Sequence, residues 1–174
     1  MLWWRLAAAE VLRGVGFTGL VAMMNQAAVE WLQGRASLGA AGGWTAEEMR
    51  LVADIGFALA EQGRNDEALT VFEGLAALAP ATAYFQSALG ALRLRKNEPA
   101  RAVAHLDAAL AADPDDLTAL TNRGEARLQL GDTEGALADL RAAAEAGGGA
   151  AGAAVEACVT RARALLRALG QTQS

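Results

Sequence analysis

A step of 34 residues recurs through the middle of the sequence, from Met49 to Gly148. Five columns of similar residue types keep this step over three copies. The columns are Gly56, Gly90 and Gly124; Ala68, Ala102 and Ala136; Phe72, Leu106 and Leu140; Leu75, Ala109 and Ala143; and Pro80, Pro114 and Gly148. A period of this length is typical of a pair of short helices that stacks on the next pair to form a solenoid.

Each column has a physical role in such a unit. Glycine and alanine let the two helices approach closely, and the apolar residue four positions after each alanine fills the space between them. The closing proline ends one unit before the next begins. The sequence therefore predicts an all-α fold: a right-handed superhelical solenoid of three tetratricopeptide repeats with N-terminal helices and a C-terminal capping helix. The predicted parts are an N-terminal helical extension with a glycine-rich linker (1–44), the repeats (45–148), and the capping helix with its tail (149–174).

The composition agrees with short, tightly packed helices. Of the 174 residues, 53% are hydrophobic and only 5% are aromatic, which favours helices over a sheet. The net charge of −5, with no basic stripe that carries aromatics, argues against a nucleic-acid partner. Cys158 is the single cysteine, which excludes an intramolecular disulfide and fits a reducing compartment. We expect Cys158 to be a small buried residue.

The first 23 residues are apolar but carry charges. Because Arg5 and Arg13 lie within the run and Glu10 interrupts it, the run lacks the roughly 20 uncharged residues that cross a bilayer. The apolar centre starts after Arg13 and 21–23 is a poor cleavage site, which disfavours a secretory signal. Two interpretations stay open: an amphipathic helix packed on the solenoid or on a second subunit, or translated upstream sequence before a later start at Met23. Membrane contact is not expected.

Two residues mark the start of the first repeat. Thr45 and Glu48 form a capping box, in which each side chain satisfies a backbone amide of the other residue. Trp44 and Met49 flank the box and are placed to form a hydrophobic staple, so Trp44 is interpreted as structural. The glycine-rich stretch 38–43 before them is expected to be a flexible connection.

Further start and stop signals occur at the turns between helices. Gly63 and Gly131 are predicted to hold left-handed backbone at helix ends. Pro99 is predicted to lie in a first helical turn. Three side chains are predicted to cap the second helices of the repeats: Asn65, Asn97 and Asp132.

After a glycine break at 147–149, an apolar stripe at helical spacing predicts one terminal helix. Its members are Val155, Cys158, Val159, Ala162, Leu165, Leu166 and Leu169. Such a helix would cover the exposed end of the solenoid. The tail 171–174 is expected to fray.

Residues that could perform chemistry are scarce. His105, the only histidine, lies beside a packing position and is predicted to be an ordinary surface residue. The sequence contains no CxxC, no HxxxH and no glycine-rich phosphate loop. The acids Asp113, Asp115 and Asp116 are explained by a capped turn between repeats rather than by a bound cation. We therefore expect no enzyme, no cofactor and no metal site.

The solenoid geometry indicates where a ligand would bind. The first helix of each unit lines the concave face, and positions two, five, nine and twelve of each unit should face the groove. These positions are Arg50, Ala53, Phe57 and Ala60; Tyr84, Ser87, Ala91 and Leu94; and Thr118, Thr121, Glu125 and Leu128. The mostly small, apolar and mildly polar side chains suit an extended, partly apolar peptide. Alternatively, Phe57 and Leu94 are core residues at the groove edge.

Three arginines depart from the repeat pattern. Arg93 and Arg127 stand where the repeat usually has a large aromatic, and Arg123 replaces an apolar residue. Their stems can pack while the guanidinium groups reach water or a carboxylate. The sequence assigns them no partner.

Several segments together carry a family resemblance over about residues 25 to 169. They are the helix end Val29-Glu30-Trp31-Leu32-Gln33-Gly34, the stretch from Thr45 through Gly63 to Ala68 and Phe72, the segments Gly90-Ala91-Leu92-Arg93 and Gly124-Glu125-Ala126-Arg127, and the helix after Gly152. This layout resembles the class II chaperones of bacterial type III secretion.

The resemblance implies a cytoplasmic protein, often dimeric through its N-terminal helix, that binds an N-terminal segment of translocator proteins in the concave groove. The aromatic groove positions of that family match Ala53, Phe57 and Ala60, of which only Phe57 is aromatic here. We therefore expect a chaperone that holds an extended segment of a secreted client. The alternative is a general tetratricopeptide scaffold in a multiprotein assembly, tethered to a membrane if residues 1–23 insert.

Overall fold

The computed structural model describes residues 42–146 and 153–172. The chain divides into two compact units, Met1–Glu48 and Met49–Ser174. Several predictions lie outside the described residues. They concern the N-terminal extension, most of the glycine-rich connection, the glycine break at 147–149 and the last residues of the tail.

Seven α-helices and no strand occur in the described ranges. They are α1 (Ala46–Glu61), α2 (Asn65–Leu78), α3 (Ala83–Arg95), α4 (Pro99–Ala112), α5 (Leu117–Gln129), α6 (Thr133–Ala146) and α7 (Ala153–Thr172). Helices α3 and α4 pack together, as do α5 and α6, and α3 also contacts α5 of the following pair. These stacked helix pairs confirm the all-α repeat solenoid predicted from the 34-residue step.

The glycine column is explained by the side chain that lies opposite each glycine. A Cβ atom at any of the three positions would come within 2.8 Å of that side chain, which is closer than real Cβ contacts. The pairs are Gly56 with Phe72, Gly90 with Leu106, and Gly124 with Leu140. All three apolar partners are fully buried, and so are the alanines of the second column. The predicted roles of these columns are confirmed.

Helix α7 packs against α5 and α6 of the third repeat. Ala162 of α7 is fully buried in a cluster with Leu140 and Ala143 of α6. Three leucines of α7 pack around this cluster: Leu165, Leu166 and Leu169. The apolar stripe therefore covers the third repeat, as expected of a capping helix.

Two apolar residues of the first repeat are exposed, although the equivalent residues of the second repeat are buried. Leu51 and Ile55 of α1 are 65% and 54% exposed. The residues one repeat later, Phe85 and Leu89, are 5% and 1% exposed because they lie in a core cluster with Phe72 of the preceding repeat.

The capping box at the start of α1 is present as predicted. The amide of Thr45 donates to Glu48 Oε2 at 2.9 Å, and the amide of Glu48 donates to Thr45 Oγ1 at 3.2 Å. The hydrogen bond from the Thr45 amide, followed by the one from its hydroxyl, lowers the pKa of Glu48 because both favour the carboxylate. Trp44 before the box is 42% exposed.

In the turn between the two helices of each repeat, the residue at one equivalent position has a left-handed backbone conformation. Gly63 and Gly131 have φ values of 77° and 83°, as predicted, and Asn97 between them has a φ of 58°. The prediction that Asn97 caps α4 is wrong, because Glu98 is the N-cap residue and this described turn contains no side-chain cap hydrogen bond. Asn97 instead fills the glycine position, where asparagine is tolerated better than most residues.

The two other predicted caps of second helices differ in outcome. The prediction for Asn65 is wrong: Arg64 holds the N-cap position of α2, so Asn65 is already helical and its side-chain oxygen is buried. Asp132 caps α6 as predicted, since its Oδ1 accepts a hydrogen bond from Gly135 N at 2.9 Å.

The turn before the third repeat is also capped. Asp116 Oδ1 accepts hydrogen bonds from the amides of Thr118 and Ala119, at 2.9 and 3.0 Å. This contact agrees with the interpretation of the acidic run as a capped turn. Pro99 lies in the first turn of α4, as predicted.

The three arginines that depart from the repeat pattern all form ion pairs. The pairs are Arg93 with Glu73 and Glu98, Arg123 with Asp107 and Asp139, and Arg127 with Asp132 and Asp139. Asp139 of α6, which two of the arginines share, is only 4% exposed. The carboxylates thus lie on the second helices of the repeats or just before them.

Candidate functional site

The predicted groove residues lie on the first helices of the repeats, α1, α3 and α5. Four of the twelve are buried, with exposed fractions of 0% to 8%: Ala53, Ala60, Ser87 and Thr121. Ala53 and Ala60 belong to the core cluster of the first repeat. The Thr121 hydroxyl donates back to Leu117 O at 2.8 Å. These side chains pack helices and present little surface to a ligand.

The other eight predicted residues are exposed or partly buried: Arg50, Phe57, Tyr84, Ala91, Leu94, Thr118, Glu125 and Leu128. Leu94 packs against the core cluster of the second repeat and Leu128 against that of the third. Phe57 contacts the buried Phe72 and is 37% exposed. Phe57 and Leu94 therefore each contact the core and remain at least partly exposed, and their part in peptide binding stays a prediction.

Phe57 of α1 and Tyr84 of α3 form an exposed aromatic patch. Their ring centroids are 5.5 Å apart, and Phe57 also meets Phe72 edge-on at 5.1 Å. Tyr84 is 47% exposed. Desolvation, with a smaller contribution from Asp54, raises the pKa of Tyr84, so its hydroxyl stays protonated near neutral pH. The patch is a largely apolar aromatic surface with one polar atom available for hydrogen bonding.

A cavity of 390 Å³ lies between α3, α5 and α7, and we call it the groove pocket. Its lining residues are Ala91, Leu94 and Arg95 of α3; Thr118, Asn122 and Glu125 of α5; and Ala157, Cys158 and Arg161 of α7. The structure thus brings together four of the predicted groove residues, two from each of α3 and α5.

The polar side chains of the groove pocket are held by defined contacts. Arg161 donates a hydrogen bond to Asn122 Oδ1, and its Nη1 lies 3.9 Å from Glu125 Oε2. Arg95 Nη1 donates to Ala60 O at 3.1 Å, which ties the end of α3 to α1. Two sides of the pocket therefore carry guanidinium groups that are each restrained by a hydrogen bond.

Sequence reasoning missed the five lining residues Arg95, Asn122, Ala157, Cys158 and Arg161. Cys158 was expected to be buried, but it is only partly buried and its Sγ lies 3.5 Å from Thr118 Oγ1. Helix α7 therefore has a second role beside capping, because one of its edges forms a pocket wall. The signal available in the sequence was an arginine three positions after Cys158, on the same side of a helix.

His105 is not the ordinary surface residue that the sequence predicted. It is partly buried on α4, and its Nδ1 lies 3.0 Å from Gln86 Oε1. Burial, and secondarily the positive charge of Arg93, lowers the pKa of His105. The hydrogen-bond partner of His105 is the side-chain amide of Gln86, which is not a nucleophile. Within the described ranges, no group of three His, Cys, Asp or Glu side chains could hold a metal ion.

The chain belongs to the tetratricopeptide repeat family. The tetratricopeptide repeat model matches residues 54–116 and 87–151, which together cover more than half of the chain. Among curated proteins, no match was found. The helices of residues 42–146 and 153–172 are all too short or too polar to cross a membrane.

Solved structures with the same fold include type III secretion proteins. A type III secretion complex from Aeromonas hydrophila has a TM-score of 0.73 at 24% identity, covering 85% of this chain and 97% of that chain. PcrH, a Pseudomonas aeruginosa protein, in complex with the chaperone binding region of PopD has a TM-score of 0.67 at 26% identity, covering 76% and 98%. The translocator chaperone SycD from Yersinia enterocolitica has a TM-score of 0.68 at 20% identity, also covering 76% and 98%. The resemblance to translocator chaperones drawn from the sequence is confirmed.

Proposed function

We propose that this chain is a non-enzymatic, peptide-binding chaperone. It holds an extended segment of a secreted, translocator-like client in the concave groove formed by α1, α3 and α5. The aromatic patch and the groove pocket are the surfaces that contact the client. Binding keeps an apolar segment of the client from aggregating or associating before secretion.

One observation carries this proposal. The likeness to PcrH extends over 98% of the PcrH chain, and PcrH was solved with the chaperone binding region of PopD bound. A fold that is kept over nearly the full length of such a relative keeps the order of the groove-lining helices as well. The binding of an extended segment is therefore the function that this arrangement supports best.

The geometry of the groove supports the same proposal. The exposed rings of Phe57 and Tyr84 can bury apolar client surface at a low cost in side-chain entropy. The groove pocket, at 390 Å³, lies within the usual size of ligand pockets, about 300–1,000 Å³. Its volume suits side chains of a peptide that runs across α3 and α5 toward α7.

The proposal includes a location and an assembly state. A single cysteine, which is not in a disulfide, suits the reducing cytoplasm. We place the protein in the cytoplasm as a homodimer that pairs through the N-terminal helices predicted from the sequence. A dimeric structure of SycD supports the assembly state.

The test is a native pull-down with the full chain from its source organism, followed by mass spectrometry. We expect a stoichiometric, membrane-active secreted protein, and we expect its loss when Phe57→Glu and Tyr84→Glu are combined. Charged side chains at these positions would have to be desolvated by an apolar client segment. Circular dichroism should show unchanged helicity, since both residues are more than a third exposed.

Leu130→Glu is the matched control. Leu130 is 50% exposed and lies in neither the patch nor the pocket, so this variant should retain the client. Retention of the client by the Phe57 and Tyr84 variant would contradict the assignment of the groove. Recovery of resident cytoplasmic or envelope complex subunits, with no secreted protein, would contradict the chaperone function and indicate a scaffold protein instead.

A further inference from the structure

We infer that the groove pocket recognises an apolar client residue with an acidic residue beside it, and that Arg95 binds the client carboxylate. This inference rests on the proposed function and adds the chemistry of the bound segment. Three features of the pocket carry it: its apolar lining, the environment of Arg95, and the balance of charge among the lining residues.

The apolar lining comes from small side chains on two helices. Ala91 of α3 and Ala157 of α7 end at a methyl group, and Leu94 packs its other side into the core of the second repeat. This leaves the 390 Å³ cavity open between helices that are fixed by their own packing. Burial of an apolar client side chain in this space is favourable, because the removal of apolar surface from water stabilises the complex.

The position of Arg95 prepares it for a carboxylate. Its Nη1 donates to the carbonyl oxygen of Ala60 at 3.1 Å, which restrains the guanidinium at the pocket. A guanidinium has five N–H donors, and this contact engages one of them. A carboxylate can accept two parallel hydrogen bonds from such a group. Since the side chain is already restrained, little rotamer freedom is lost on binding.

The charges that line the pocket favour an acidic ligand. Arg161 faces Glu125 at 3.9 Å, so part of its charge is balanced within the protein. Arg95 forms no ion pair with any carboxylate of the described residues, and its partner at Ala60 is neutral. The lining therefore carries an excess of one positive charge, in a chain whose net charge is −5. This local excess attracts an acidic group to the pocket.

The experiment selects random short peptides displayed on phage against the immobilised full chain. We expect the selected peptides to be enriched in Asp or Glu next to a medium-sized apolar residue. Arg95→Gln should abolish the acidic preference and keep the apolar one. Arg101→Gln is the matched control, because this arginine of α4 is exposed, lies outside the pocket and loses the same charge. It should select the same peptides as the unaltered chain.

A second measurement changes the peptide and compares its binding to the unaltered chain and to two variants. A selected peptide and its counterpart with Asp changed to Asn, or Glu to Gln, are compared by fluorescence anisotropy. We expect the change to weaken binding about tenfold for the unaltered chain and less than about twofold for Arg95→Gln. Glu125→Gln should strengthen binding of the acidic peptide, because it removes the competing carboxylate.

The outcomes separate this inference from the proposed function. Selected peptides with no more acid than the starting library would overturn the inference and leave peptide binding in place. An equal loss of acidic preference in Arg95→Gln and Arg101→Gln would also overturn it, since the effect would then come from net charge. Failure to select any peptide would overturn both.

Discussion

Arg123 of α5 holds Asp139 of α6 through two parallel hydrogen bonds, from Nε at 2.9 Å and from Nη2 at 2.7 Å. Arg127 Nη1 donates to the same carboxylate at 2.9 Å. The hydrogen bond to Asp139 is the main reason that the pKa of Arg123 is raised. The two helices of the third repeat are therefore joined by a charged cluster beside the contact between Gly124 and Leu140.

Asp139→Asn should destabilise the protein strongly. Asp139 is 4% exposed, and its replacement leaves two arginines without their shared counter-charge. Because the arginine side chains are 18% and 24% exposed, water compensates in part, and we expect a loss of about 2–3 kcal/mol in the free energy of unfolding. Urea denaturation followed by circular dichroism measures this loss.

Asp107→Asn is the control for that measurement. Asp107 lies 2.7 Å from Arg123 Nη1, but its side chain is 52% exposed. We expect a loss below about 1 kcal/mol, as is usual for an ion pair at the surface. Equal losses in the two variants would show that burial of Asp139 does not matter.

Gly90→Ala and Gly74→Ala should change stability in opposite directions. A Cβ on Gly90 would lie 2.5 Å from Cγ of Leu106, whose side chain is fully buried and cannot yield. Overpacking of this kind costs about 1–3 kcal/mol, more than alanine gains from helix propensity. Gly74 of α2 has no neighbouring atom within 4 Å, so alanine there should stabilise the protein by up to about 1 kcal/mol. Thermal unfolding that ranks the two variants in the reverse order would contradict the role of the glycine column.

Asn97 offers a test of the left-handed turn. Asn97→Ala should cost about 1 kcal/mol, since a φ of 58° brings its Cβ close to the backbone. Asn97→Gly should leave stability nearly unchanged or raise it, because glycine adopts this conformation without a steric penalty. Both variants lose the amide side chain. Equal stabilities would therefore show that the side chain of Asn97, and not its backbone conformation, determines the stability of this turn.

The 34-residue period predicted the repeats correctly because it reflects a direct contact between the two helices of each repeat. Each glycine meets the apolar residue sixteen positions later, and the same pair recurs in every copy. The caps were harder to predict, since asparagine serves both as an N-cap and in left-handed turns. Asn97 stands 34 residues from both Gly63 and Gly131, so the column could have revealed its role. Asn65 offered no such signal.

The site was only partly predictable because part of it lies outside the repeats. Tyr84, Ala91 and Glu125 occupy repeat positions, so the period assigns them to one face. Cys158 and Arg161 belong to α7, and no repeat column fixes how that helix is rotated against α5. Their place in the groove pocket depends on the packing of Ala162 and its leucine neighbours on the third repeat.

His105 gives the protein a predictable response to mild acid. Burial, and then the charge of Arg93, holds its pKa below the ordinary value of 6.5. A proton therefore binds the unfolded chain more readily than the folded one at pH values between the folded pKa and 6.5. The contribution to stability is complete above pH 6.5 and is lost as the pH falls through the folded pKa.

His105→Gln tests this response, since glutamine can still hydrogen-bond to Gln86 but does not titrate. The free energy of unfolding is measured in urea near pH 7.5 and near pH 5.5, a range in which histidine is the side chain that ordinarily titrates. We expect the unaltered chain to lose more stability than the variant between these two pH values. The carboxylates contribute equally to both proteins, so they cancel in the comparison. A larger loss in the variant would mean that protonated His105 is stabilised in the folded state, with Glu73 rather than burial dominating its surroundings.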